Sequence, residues 1–104
     1  MGLFDFFKSS DVETINGVEF PKFNGYARWK DGRNKQNYKR ENFYYRAEES
    51  AKLPEYMSKV NSYGFVQKTR VRYENANGDY IIIDPNYKYG RNPAGLHIAF
   101  HAKK

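Results

Sequence analysis

Two arginines, one glutamate and two histidines in the C-terminal part of the chain are of the types that metal-free RNA cleavage uses. That reaction needs a base for the 2′-hydroxyl, an acid for the departing 5′-oxygen and cations for the charge-rich phosphorane. Glu74 suits the base, a histidine the acid, and Arg70 and Arg72 the electrostatic clamp. Histidine titrates near neutrality, which fits it for proton donation at physiological pH. His97 is the first choice because it follows directly on the Gly95 loop, beside basic residues where substrate would arrive; His101 is the fallback. Lys68, Arg70, Tyr80, Lys88 and Arg91 form the expected substrate-binding set.

Three segments must position these groups. FVQKTRVRYE, DYIIID and LHIAFH read as antiparallel strands over 66–74, 79–84 and 96–101. Gly78 favours a three-residue loop of Ala76, Asn77 and Gly78, built from a type I turn and a bulge with φ > 0 at the glycine. That loop pairs Tyr73 with Ile81 and Val71 with Ile83. A two-residue Asn77-Gly78 turn would set the isoleucines beside Arg72 and Glu74, and burial of four apolar side chains decides for the longer loop. Leu96, Ile98 and Phe100 join the same apolar face. The opposite face then holds Lys68, Arg70, Arg72, Glu74, Tyr80, Ile82, His97 and His101. It reads either as the wet side of an antiparallel sheet or as a working surface.

A metal centre is not expected. His97 and His101 have the spacing of a metal pair on a helix, but four strand residues span ~13 Å. The chain has no cysteine to complete a shell, and no cofactor motif is present. The same lack of cysteine suits a reducing compartment and excludes a disulfide scaffold, so a cytoplasmic location is the expectation.

The 104 residues suit one domain, 1–104, with 39% hydrophobic and 18% aromatic residues, so the core must lean on Tyr, Phe and the single Trp29. Eighteen Lys and Arg against twelve Asp and Glu give +6 and a pI near 9.5. That balance points to polyanionic partners: RNA, DNA or an acidic protein. The opening MGLFDFFK lacks a signal-peptide hydrophobic region, and Phe6 stands where a myristoylation motif needs Ser or Thr. Phe4, Phe6 and Phe7 are expected to pack on the domain, and no membrane partner is expected.

Upstream, Asn16-Gly17 between VETI and VEFP signals a hairpin that Pro21 ends or keeps at an edge. Residues 35–51, KQNYKRENFYYRAEESA, read as a helix with Tyr38, Asn42 and Tyr45 on one side. The run RNKQNYKRENFYYR mixes cations with aromatic rings, as single-strand binders do, and equally fits a solvated amphipathic helix. Leu53, Tyr56, Met57 and Val60 set out a second helix, with Pro54 in its first turn and Gly64 at its stop. Tyr63-Gly64-Phe65-Val66 matches only the centre of an RNA-recognition-motif signature and carries no argument. The fold class expected is α+β: an antiparallel sheet, formed by the N-terminal hairpin and three C-terminal strands, packed against two helices.

GDYIIIDP, the basic glycine-containing loop and AGLHIAFH resemble the C-terminal ribonuclease domains of bacterial polymorphic toxins of the barnase-like class, over roughly the last forty residues. The resemblance implies an α+β fold with a catalytic sheet face and an acidic immunity-protein partner. The first expectation is therefore a small, basic, metal-independent ribonuclease of toxin type. The alternative is a non-catalytic module, from a bacterium or a mobile element, that binds nucleic acid or inhibits a host protein.

Overall fold

The computed structural model describes residues 11–88 and 90–104; the expected packing of Phe4, Phe6 and Phe7 lies outside them. Strands β1 (Val12–Ile15) and β2 (Val18–Pro21) form the expected hairpin. Asn16 and Gly17 both take positive φ, 51° and 79°, as a two-residue type I′ turn requires. The hairpin is a separate two-stranded sheet and does not extend the main one. Its side chains Ile15 and Phe20 enter the core, and Asn16 Nδ2 donates to the Lys103 carbonyl at 3.3 Å.

Among the described residues the main sheet has six antiparallel strands and leaves out the hairpin, in place of the expected sheet of hairpin and three C-terminal strands. The six are β3 (Ala27–Asp31), β4 (Tyr38–Tyr45), β5 (Val66–Gln67), β6 (Arg72–Glu74), β7 (Tyr80–Tyr87) and β8 (Gly95–Lys103), in the order β3-β4-β8-β7-β6-β5. A 3-10 turn at Ala47–Lys52 leads into α1 (Leu53–Ser62), the single α-helix among the described residues. Tyr56 and Val60 of α1 are buried, Leu53 and Met57 pack beside them, and Gly64 with φ 88° follows the helix end. The class is α+β, with one α-helix among the described residues in place of the two expected.

The helix expected over 35–51 is instead strand β4 followed by the 3-10 turn. The physical reason is a period of two. Tyr38, Arg40, Asn42 and Tyr44 share one face, while Phe43 and Tyr45 reach the core. Tyr and Phe favour a pleated surface with two half-buried faces, and three of them in a row fit it better than one helical stripe. Tyr38 and Tyr45, expected on one side of a helix, lie on opposite faces of the strand.

The segment 66–74 is also two strands. Thr69 Oγ1 accepts from the Val71 and Arg72 amides at 3.3 and 3.1 Å, and the Lys68 amide donates to the Arg72 carbonyl at 2.8 Å. A side chain that offers the backbone such partners competes with continued extension, and the chain reverses here. Val66 then pairs with Glu74.

From Arg72 onward the expected register holds. Gly78 has φ 89°, Asn75 Oδ1 accepts from the Asn77 and Asp79 amides at 3.0 Å each, and Tyr73 pairs with Ile81. The Ile83 amide donates to the Val71 carbonyl at 2.8 Å. Ile81, Ile83, Leu96, Ile98 and Phe100 are all buried beneath the hairpin and α1, while Val71 and Tyr73 are half-buried at the margin. Phe20 stacks on Phe65 (5.5 Å between centroids) and meets Phe100 (5.1 Å); Phe23 sets its edge to Tyr45 and Tyr56. The buried Tyr56 hydroxyl donates to the Pro21 carbonyl at 2.6 Å, which satisfies a polar group that burial would otherwise make costly.

Candidate nucleic-acid interface

The face of the main sheet turned away from the core carries two groups of rings. The first begins at Arg72, whose guanidinium lies 3.7 Å from the centre of the Tyr80 ring. Tyr80 stacks on His101 at 4.0 Å, and Tyr38 sets its edge to both. Strand order explains this. Glu74 pairs with Tyr80, Tyr80 with His101, and His101 with Arg40, so the four residues cross the sheet in one row. Arg72 also forms an ion pair with Glu74 at 2.7 Å. Two half-exposed groups gain little stability from such a pair, but both are engaged by it.

The second group is Trp29, Tyr44, His97 and Tyr87. Successive centroids are 4.5, 4.7 and 4.4 Å apart, and the Tyr44 and His97 rings are within 5° of parallel. The two outer rings owe their position to irregularities. In β3 the pairing shifts by one between Ala27 (with Tyr45) and Trp29 (with Tyr44). Residues 27 and 29 of a regular strand share a face; the extra residue, Arg28, turns Trp29 to the open side. In β7 the shift falls between Asp84 (with His97) and Tyr87 (with Gly95), around Pro85 and Asn86. The Asn86 amide donates to Asp84 Oδ1 at 3.0 Å, and Tyr87 emerges over His97. Proline, which has no amide to give to a ladder, fits at such a bulge.

A hydrogen-bonded line fixes the centre of this group. Asn42 Nδ2 donates to Asp31 Oδ1 at 2.8 Å, so the amide oxygen of Asn42 faces His97 Nε2 at 3.0 Å. An amide oxygen only accepts, which puts the proton on Nε2 and leaves the Nδ1 lone pair free of it. Burial lowers the His97 pKa to about 4, with Arg40 adding to the effect and Asp84 and Asp31 opposing it. Burial lowers His101 further, to about 3, helped by Lys35, Arg40 and Arg72. Both histidines are therefore neutral at pH 7. His101 is 2% exposed.

The expected site residues divide accordingly. Arg72, Glu74, Tyr80, His97 and His101 do share the open face. Lys68 and Arg70 lie in the exposed reversal between β5 and β6 and do not line that face. Lys88 and Arg91 are exposed in the connection to β8. Glu74 and Arg72 do not converge with His97, which stands two strands away, four residues along from Glu74 and two from Arg72, separations of roughly 16 and 12 Å at the backbone. The acid role assigned to a histidine from its ordinary titration meets the burial that keeps both rings neutral. Among the described residues, no group of three His, Asp or Glu side chains is placed to hold a metal ion, and no helix is long and apolar enough to cross a membrane.

Trp29, Tyr38, Arg40, Asn42 and Tyr44 were not anticipated on this surface. The alternation of YKRENFYY was the signal that would have found the β4 residues. A pocket of about 220 Å³ opens beside Trp29, Tyr44 and Tyr87, and Arg28, Asn92, Pro93 and Gly95 also line it. Gly95 cannot carry a side chain, since a Cβ there would meet the carbonyl oxygen of Tyr45. Comparison with protein-family models, with curated proteins and with solved structures finds no match to this chain.

Proposed function

We propose that this chain is a non-catalytic module that binds single-stranded nucleic acid, RNA first, on the open face of its main sheet. The observation that carries the reading is the four-ring series Trp29, Tyr44, His97 and Tyr87 on that face, in a chain of net charge +6. Aromatic rings give unpaired bases a surface to stack on whatever their sequence, and surrounding cations hold the backbone. Arg28, Arg46, Lys88 and Arg91 are exposed and supply the cations. DNA and acidic proteins share the electrostatic part of this recognition; unpaired bases alone use the rings.

The ribonuclease alternative has one observation in its favour, the shared row of Glu74, Tyr80 and His101 beside Arg72. It asks His101 to give a proton from a buried, neutral ring covered by Tyr80 and Tyr38. Binding is therefore preferred to cleavage. The deciding experiment is fluorescence anisotropy of a labelled single-stranded RNA at low salt, run beside incubation of total RNA with the protein. Binding with intact RNA supports the module. Cleavage that His101→Gln abolishes would replace it with the enzyme, and no binding at low salt would leave an acidic protein as partner.

A further inference from the structure

Two arginines flank the Tyr80–His101 pair, and each is held through one nitrogen. Arg72 Nε lies 2.7 Å from Glu74 Oε2, with the guanidinium over the Tyr80 ring at 3.7 Å. Arg40, paired with His101 across the sheet, donates from Nε to the Arg33 carbonyl at 2.8 Å and from its amide to Asn34 Oδ1 at 3.2 Å. Among the described residues, the terminal guanidinium nitrogens of both arginines have no hydrogen-bond acceptor. An arginine anchored in this way has lost rotamer freedom before a ligand arrives, and its outer nitrogens are left to donate. Tyr80 is 4% exposed, and its hydroxyl, which bonds to no described residue, reaches the surface. Burial raises its pKa, Tyr38 and Glu74 add to this, and Arg72 and Arg40 oppose it, so both arginines act on a phenol that stays protonated at pH 7.

Resting on the single-strand reading, we propose that this end of the open face is its phosphate site. Arg40 and Arg72 each take one of two adjacent backbone phosphates, and the Tyr80 hydroxyl donates between them. Lys35, exposed in the turn before β4, adds a third cation: it acts on His101 together with Arg40 and Arg72. The three outweigh the Glu74 carboxylate, which meets Arg72 on its Nε side and leaves the outer nitrogens clear. A protein carboxylate would satisfy one fork and leave the other arginine and the hydroxyl unused, whereas a strand brings a charge with every nucleotide. Strands β4 and β6, which carry the two arginines, lie roughly 14 Å apart in the sheet, and Arg72 crosses one strand spacing of that gap to reach Tyr80.

The test reads the salt dependence of binding to the intact chain, by anisotropy of a labelled ribouridylate octamer. Arg40→Gln and Arg72→Gln should each lower the slope of log affinity against log salt by about 0.7, and the double variant by about 1.4. Lys59→Gln removes the same charge from α1, across the sheet from the open face, and should leave the slope unchanged. Tyr80→Phe keeps the stacked ring and should weaken binding about fivefold with the slope intact, since a neutral donor releases no counterion. Arg72→Lys should keep the slope and bind more weakly, because it keeps the charge and loses the fork. Should Arg72→Gln fail to fold, Arg40→Gln decides by the same criterion. Inorganic phosphate at millimolar concentration and fixed ionic strength should not displace the octamer; displacement would assign the site to free phosphate and overturn the strand as its occupant. Equal slopes for wild type and for variants shown to be folded by urea midpoint would overturn the site while leaving single-strand binding in place. No binding by the wild type would overturn both.

Discussion

Lowering the pH from 7 to 5 should remove much of the stability of this fold, because two histidines are kept neutral inside it. An unfolded histidine titrates near 6.5. The folded values are lower, about 4 for His97 and about 3 for His101. The unfolded chain therefore binds more protons between pH 6.5 and these values, so stability rises with pH through that window and falls as acid is added. At pH 5 the unfolded rings are almost fully protonated and the folded ones almost not at all. Integrating from pH 7 to 5 gives a loss of about 2 kcal/mol per histidine, an upper bound for the half-buried His97. The two together approach about 4 kcal/mol, a large part of the 5–15 kcal/mol typical of a domain. Urea unfolding followed by tryptophan emission measures this directly. With an m-value of about 1–2 kcal/mol per molar, the midpoint should fall by about 2–4 M. His101→Gln should remove about half of the pH dependence whatever it does to stability at pH 7. An unchanged midpoint between pH 7 and 5 would refute the claim that burial holds either ring neutral.

Asn42→Leu should cost about 1–3 kcal/mol by urea midpoint, since it strands the Asp31 carboxylate and His97 Nε2 together. Nitrogen chemical shifts of His97 in the wild type should report the Nε2-protonated tautomer. Gly95→Ala should lower the melting temperature, because its methyl group forces β8 off the Tyr45 carbonyl. Ile81→Ala, which empties a fully buried site, should cost about 2–5 kcal/mol with little change in RNA affinity at low temperature. For single-stranded RNA, log affinity should fall linearly with log salt, and Arg28→Ala should reduce the slope by about 0.7 if that arginine meets one phosphate.

The part of the fold legible in the sequence is the part where one face is apolar and the turn chemistry is explicit. Asn75 to Gly78 dictated the loop, and the alternation of YIII and LHIAF dictated which side chains enter the core. Asn16-Gly17 and the Leu53 to Val60 spacing worked for the same reason. Strand β4 hid its period because its open-face positions, Tyr38 and Tyr44, are as aromatic as its core positions. A surface that is itself ring-covered erases the contrast that alternation relies on. Thr69 reversed the chain with a hydroxyl, a weaker signal than glycine or proline. The bulges at Arg28 and at Pro85-Asn86 leave no periodic trace at all, since each changes the face of the residues beyond it. The candidate site was thus seen through its charges and histidines and missed through its rings. The histidines' neutrality follows from Tyr38, Tyr44 and Tyr80 lying over and beside them, which required β4 to be known as a strand.

Among the described residues β8 follows the other seven strands in chain order, yet it sits between β4 and β7. Until it emerges from the ribosome, the two halves of the main sheet have no common neighbour, and β4 and β7 each present an unpaired edge. Until then Phe43, Tyr45, Ile81 and Ile83 lack the Leu96, Ile98 and Phe100 that pack beside them. Such an interval favours recruitment of a chaperone and penalises slow or interrupted translation near residue 95, because exposed edges pair with other chains. A stop codon a few residues before His101 would not trim this protein at its margin. It would remove the middle of the sheet.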